Sequence, residues 1–154
     1  VDGCQIEDFR VADLSQPGAV RSVVGPPEEG RRPFDVAVCL EVLEHLPPAA
    51  GDSVVADMCA VADVVVWSAA IPGQGGVGHV NEQWPGYWVS RFSDHGYVTD
   101  GSIRWQIWDR SAVEPWYRQN LFVSYDPGGA EVDLPPWCDP IAVVHPVIYD
   151  WRRG

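Results

Sequence analysis

Apolar residues in this chain come in short blocks separated by turn-forming stretches, and the blocks alternate between strand-like and helix-like periods. Phe9-Arg10-Val11-Ala12 predicts a short strand ending at Asp13-Leu14-Ser15, and residues 16–33, rich in Pro, Gly and charge, predict a weak helix followed by a mobile loop. Val36-Ala37-Val38-Cys39-Leu40, opened by Asp35, predicts a fully buried strand. Pro47 and Pro48 suit a helix entrance, and Val54, Val55, Met58 and Val61 then recur at helical spacing. Asp63 leads into another buried strand, Val64-Val65-Val66-Trp67-Ser68-Ala69, followed by a glycine-rich loop from Pro72 to His79. Trp84 to His95 predicts a helix with Trp84, Tyr87, Trp88 and Phe92 on one face, at a spacing more common in cores than in stacking platforms.

The pattern changes after Tyr97. Val98, Ile103, Trp105, Ile107 and Trp108 predict one strand or a bent pair, and Asn120 to Tyr125 predicts another, with a short helix near Val113 to Tyr117 between them. Two late strands with a short connection can pair antiparallel at one edge. Residues 127–154 form a C-terminal extension, Pro/Gly-rich to 140, whose tail from Ile141 to Tyr149 is expected to dock through its apolar side chains. No segment repeats. The prediction is a single α/β domain over 1–154, with a mostly parallel sheet and an antiparallel edge hairpin.

Composition narrows the chemistry. The 154 residues contain no lysine, which removes Walker-type phosphate loops, kinases, Schiff-base aldolases and pyridoxal enzymes. A net charge of −12 disfavours nucleic acid, which is gripped by clustered Lys and Arg, and otherwise serves solubility. There is neither an apolar run of about 18 residues nor a basic-then-apolar leader, so no membrane partner is expected. Cys4, Cys39, Cys59 and Cys138 lack metal-binding spacing, and Cys39 and Cys59 read as small core residues, which favours a reducing, cytoplasmic setting. The chain opens on Val1 and its only methionine is Met58, so a longer N-terminus is expected. The oligomeric state is not predicted.

The strand ending at Leu40 is followed at once by Glu41, Glu44 and His45. Ligands of open α/β sheets bind just beyond the carboxyl ends of strands, so this is where a site is expected. Glu41 and Glu44 stand at i and i+3, and His79 closes the loop after the next strand, on the same rim. Two carboxylates and two imidazoles suit Mg²⁺, Mn²⁺ or Zn²⁺. The same residues also allow a metal-free site, with Glu41 capping the helix, Glu44 solvated and His45 bonded to a backbone carbonyl. In a third arrangement His79 or His45 is a general base without metal. Gly73, Gly75 and Gly78 imitate the G-x-G-x-x-G of a dinucleotide-binding turn, with Asp100 at a tempting distance. Pro85-Gly86 would interrupt the helix that such a turn requires, so the glycines are better read as allowing a loop to approach a site closely.

The run E-V-x-E-H after a strand, before a Pro-started helix, resembles the fourth strand and following helix of class I S-adenosyl-L-methionine-dependent methyltransferases. The stretches SAAIPGQGGVGHVNEQWPGYW (68–88) and IWDRSAVEPWYRQNLFV (107–123) further resemble a bacterial branch of that family. The resemblance runs from about Phe9 to Tyr149. It implies a Rossmann-like sheet, S-adenosyl-L-methionine as cofactor, and methyl transfer to a hydroxyl of a small molecule or sugar. Relatives with a similar E-x-x-E-H motif, in ubiquinone synthesis and on small RNA, use a metal; that implies a cation at Glu41, Glu44, His45 and His79. The resemblance also implies cofactor contacts at Leu40 and Glu41, an adenine-contacting turn at Asp13-Leu14, and a ribose contact at Asp2. Here the chain departs from the family. The first strand and its glycine-rich cofactor loop are absent, and only Cys4 to Asp8 separate Asp2 and Gly3 from Phe9, too few for the expected helix. The alternatives are a non-catalytic methyltransferase-like domain that has lost this loop, and a dinucleotide-dependent oxidoreductase.

Overall fold

A computed structural model describes residues 8–25, 31–130 and 142–151. Among these, four strands form one mixed sheet in the order β1-β2-β4-β3: β1 (Phe34–Leu40), β2 (Ala62–Ser68), β3 (Val98–Asp100) and β4 (Phe122–Tyr125). The helices are α1 (Ala19–Val24), α2 (Pro48–Val61), α3 (Pro85–Asp94), α4 (Ile103–Ile107), α5 (Pro115–Asn120) and α6 (Pro146–Trp151). β1 and β2 are parallel, while β4 runs antiparallel to both β2 and β3, so three strands point one way and one opposes them. The class is therefore α/β with an antiparallel border, as the pattern predicts.

The parallel pair sets the rim. α2 is the crossover between β1 and β2, entered through Pro48 at its first turn, where a missing N–H costs nothing. Val54, Val55, Met58 and Cys59 of α2 are buried in the same core as Cys39, Val65 and Trp67. The register pairs Phe34 with Ala62 and Leu40 with Ser68, so both strands end level.

β2 is the well-covered strand. Trp67 stacks between Phe92 (5.4 Å) and Phe122 (4.8 Å) and donates its indole N–H to Ser124 Oγ at 2.8 Å. Ser124 Oγ in turn lies 2.7 Å from Thr99 Oγ1, so one indole and two hydroxyls tie β2, β4 and β3 together without an orphaned polar atom among the three side chains.

The structure corrects four expectations. First, residues 9–12 form no strand; Phe9 and Val11 have no sheet neighbour and are about four-fifths exposed, at 80% and 81%. Second, β1 is not fully buried, because among the described residues it lies at the sheet border and pairs with β2 alone. Cys39 is buried and Ala37 packs beside it, but Phe34, Val36 and Val38 alternate with them and stand exposed. Third, the stretch from 98 to 108 is a strand and then a helix. Asp100 Oδ1 accepts from the Ser102 N–H (2.7 Å) and hydroxyl (2.6 Å), which turns the chain sharply, and α4 begins at once. β3 and β4 thus pair antiparallel across two helices, not across a short connection. Fourth, Trp84 precedes α3 and is half exposed, while Trp88 and Phe92 enter the core.

The tail forms α6, with Ile148 buried, and His145 packs its ring on Trp108 at 4.6 Å. The expected mobile loop falls largely on residues 26–30, outside the described residues, as do Cys4 and Cys138. Cys39 and Cys59 are free and buried. Among the described residues, no helix is long and apolar enough to cross a membrane.

Two valines in neighbouring strands should behave oppositely. Val38→Lys, on the open border, is expected to lower concentration-dependent association in light scattering while changing stability by less than about 0.5 kcal/mol. Val65→Ala, in the covered strand, should cost about 2 kcal/mol in a denaturant titration.

Candidate cation site at the strand rim

Leu40 is the last residue of β1, and the chain reverses immediately. Glu41 adopts φ 51°, a left-handed conformation unusual for a residue with a side chain. Its N–H donates to the Ser68 carbonyl (3.0 Å) and lies 3.1 Å from Ser68 Oγ, which fastens the turn to the end of β2. A single 3-10 turn, Leu43–His45, follows, with Leu43 and Glu44 both at 0% exposure. Leu43 is an apolar anchor. Its neighbour Glu44 is dragged inside with it.

The loop after β2 returns to the same place. Val80 and Asn81 both donate their N–H groups to the Glu44 carbonyl oxygen at 2.9 Å. That brings the His79 ring against the His45 ring, 4.8 Å apart and edge-on, and places His79 Nε2 4.0 Å from Glu44 Oε1. Glu44, His45 and His79 each offer one ligand atom, and the three atoms lie within 4.8 Å of one another. His45 is exposed and its Nδ1 sits 3.3 Å from the Gly78 carbonyl oxygen, so this face opens to solvent.

Neither carboxylate oxygen of Glu44 has a hydrogen-bond partner, although both are buried. Burial, with the nearby negative charge of Glu41 adding to it, pushes the Glu44 carboxyl up to about 7, against the pull of backbone donors and His79. The expectation of a solvated Glu44 is thereby overturned. Glu41 neighbours the three-residue cluster and stands outside it. Its Oε2 accepts from Gln74 Nε2 at 3.3 Å, and its Oε1 is buried without a partner. It makes no helix cap, since α2 begins after Pro47 with no side-chain cap bond.

Gln74 connects this rim to α5. Its Oε1 accepts from Asn120 Nδ2 (2.8 Å) and Gln119 Nε2 (3.1 Å), and Gln119 Oε1 accepts the His145 N–H at 2.7 Å. The polar W-Y-R-Q-N segment thus reaches the site through one amide. Arg118 donates to the Trp108 carbonyl and Arg104 lies over the Phe122 ring at 4.2 Å.

The remaining predicted residues lie apart from this cluster. Asp13 is exposed and its carboxylate accepts from the Ser15 N–H and hydroxyl, whose bonds hold it below the usual carboxylate range. Leu14 and Leu40 both line an apolar groove of about 410 Å³ that runs along β1 and past Val20. Asp2 lies outside the described residues. No helix begins within Gly73 to Gly78; the next one starts at Pro85, which is not the arrangement of a dinucleotide turn.

One side chain beside the site was not singled out from the sequence. Glu82 accepts from the Gly73 N–H (2.7 Å) and the Gly75 N–H (2.8 Å) and meets His79 Nδ1 at 2.9 Å. Although burial pushes the other way, the donors from His79, Gly73 and Gly75 hold the Glu82 carboxyl below its usual range. Its signal was the i, i+3 spacing within GHVNEQW, which is uninformative for a stretch that is not a helix.

No protein-family model matches the chain, and no curated protein matches it. Among solved structures, the crystal structure of the small RNA methyltransferase HEN1 is similar, with a TM-score of 0.47 and 17% identity over 68% of this chain. The match spans 15% of that protein's chain. A likeness at this level carries no argument about function, which rests on the side chains themselves.

The Glu44 carboxyl gives a stability prediction with a definite sign. Its folded value lies above its ordinary one, so the fold holds the proton more tightly than the unfolded chain does. Stability from this group is full below about 4.5 and is lost as pH rises through about 7. With chelator present, wild-type protein should lose roughly 2–3 kcal/mol relative to Glu44→Gln between about pH 5 and about pH 8, measured by urea unfolding.

Proposed function

We propose that this chain carries the cation and acceptor side of an S-adenosyl-L-methionine-dependent methyltransferase acting on a hydroxyl of a small molecule or sugar. Glu44, His45 and His79 hold a divalent cation, with Glu41 Oε1 as a further donor. The observation that carries this reading is the Glu44 carboxylate, which is buried with both oxygens unpartnered and has an imidazole nitrogen 4.0 Å away. A buried carboxylate in that state is stabilised by a proton or by a cation, and two imidazoles, one of them exposed, supply further donors to a cation. The mixed nitrogen and oxygen donors fit Mn²⁺ or Zn²⁺ better than an all-oxygen ion, with Mg²⁺ the harder case.

A cation held by these residues would supply Lewis-acid chemistry, lowering the pKa of an acceptor hydroxyl. The chain's own residues do the remaining work. Glu44 supplies negative charge from the dry side, while the exposed face of His45 leaves room for the acceptor. The displacement forms an O–CH₃ bond and breaks the S–CH₃ bond, leaving S-adenosylhomocysteine and one proton. The proton leaves to solvent through the exposed side of the site at His45. Leu14 and Leu40 offer an apolar wall for the nucleoside base along their shared groove. The net charge of −12 favours a small acceptor over a polyanion.

One observation favours a second reading, a cation-binding domain without turnover. Among the described residues, none lining the groove is charged and the Asp13 carboxylate is already engaged by Ser15, so none of them offers the ribose a free acid.

Calorimetry with Mn²⁺ tests the site, and transfer of labelled methyl from S-adenosylmethionine to a panel of sugars tests the reaction. The expected results are cation binding weakened at least tenfold by Glu44→Gln, and cation-dependent transfer lost in the same variant. Binding without transfer selects the second reading. Protein that neither binds Mn²⁺ nor transfers methyl overturns both.

A further inference from the structure

The carboxylate of Glu82 gathers three donors from one loop. Oε2 takes the Gly73 N–H, while Oε1 takes the Gly75 N–H and faces His79 Nδ1 at 2.9 Å. Backbone N–H groups can only donate, and an ionised carboxylate can only accept. The proton between Glu82 and His79 therefore belongs to Nδ1. A neutral imidazole protonated there carries its lone pair on Nε2, the atom 4.0 Å from Glu44 Oε1. That gap is too long for a hydrogen bond, and the two atoms would serve together as ligands to a cation that drew them closer.

The loop backbone is part of the same arrangement. A Cβ built at Gly76 would collide with Nε2 and Cε1 of His79, so the main chain passes close to the ligand atom and a side chain there would have to move the ring. The loop must stay pegged for that approach to hold, and the pegs at Gly73 and Gly75 are the same carboxylate that fixes the ring.

We propose that Glu82 is a positioning residue for the cation site: it keeps the His79 proton on Nδ1, presents Nε2 toward Glu44, and clamps the glycine loop over that ring. The inference rests on the cation reading above, and goes beyond it by assigning the tautomer and the residue that sets it. Carboxylate partners of metal-bound imidazoles raise ligand basicity and fix ring orientation, and their loss weakens metal binding by about ten- to a hundredfold.

Long-range ¹H–¹⁵N spectra of the metal-free, ¹⁵N-histidine-labelled chain at about pH 8 read the tautomer directly. Wild-type His79 is expected with Nδ1 protonated and Nε2 bare. In Glu82→Ala the ring should shift toward the Nε2–H tautomer, and Mn²⁺ affinity should fall about ten- to a hundredfold. Glu82→Gln, which keeps one acceptor oxygen, should retain more of the Nδ1–H form and more of the affinity. Gly76→Ala should displace the ring and weaken Mn²⁺ binding with Glu82 intact. Wild-type His79 carrying its proton on Nε2 overturns the proposal, as does Glu82→Ala with tautomer and affinity unchanged. If Glu82→Ala fails to fold, the wild-type tautomer and the Glu82→Gln pair decide. Wild-type protein that ignores Mn²⁺ while its His79 keeps an Nδ1 proton that Glu82→Ala loses refutes the cation reading and upholds the positioning of the ring.

Discussion

A carboxylate taken out of water and given no hydrogen bond costs several kcal/mol, and a folded protein keeps one only where surrounding structure outweighs the cost. Glu44 is such a group, with no exposed surface and no well-formed hydrogen bond to either oxygen, only weaker pulls from nearby backbone N–H groups. Two features hold it in place. Leu43, fully buried next to it, fixes the 3-10 turn by apolar packing, and the Glu44 carbonyl is locked by the Val80 and Asn81 N–H groups. Together they fix the backbone from which the side chain projects inward. The rest of the rim is arranged around this constraint: the level ends of β1 and β2, the reversal at Glu41, and the return of the loop carrying His79.

Much of the polar interior of the sheet is satisfied. Trp67 sits in a stack of three aromatic rings, and its indole nitrogen, with Ser124 and Thr99, forms a closed polar chain in the core. Asp57, also buried, is answered by the Val20 N–H and by Arg21, which ties α1 to α2. Buried polar groups away from the rim have found partners in these cases, and Glu44 and Glu41 Oε1 at the rim have not.

Strand β2 and helix α2 were legible because their periods were long and unbroken, and because Pro47-Pro48 and Asp63 mark the boundaries. β1 was legible as a strand but not as a border strand, since a continuous apolar run looks the same whether both faces are covered or one is bare. The stretch after β3 was misread because Ile103, Trp105 and Ile107 alternate like a strand; Asp100 bonding to Ser102 decides the matter, and that turn is a three-dimensional fact. At the site, spacing alone pointed to the E-x-x-E-H cluster and to His79 on the same rim. The separation of Glu41 from the three-residue cluster was not legible, because it follows from the left-handed backbone at Glu41 itself. Glu82 was invisible for a related reason: it reaches His79 through a loop conformation that several glycines permit and no periodicity encodes.

Three departures from local rules meet at this rim. Glu41 bears a side chain in left-handed backbone, Glu44 buries an unanswered carboxylate three residues later, and Gly76 brings main chain onto the His79 ring. These are independent costs, of backbone strain, desolvation and close approach, and no single packing contact would relieve all three. A cation between Glu44 and the imidazoles would answer the second directly. It would also give the other two a purpose, since the reversal at Glu41 turns the chain into the rim and the approach at Gly76 keeps one imidazole nitrogen under the loop. Trp88 Nε1 and Arg118 Nε are also buried without partners, but each is one neutral or cationic N–H. The rim instead gathers an unpartnered carboxylate, a left-handed side-chain-bearing residue and a close backbone approach at one point, the pattern expected of a site whose ligand supplies the missing interaction.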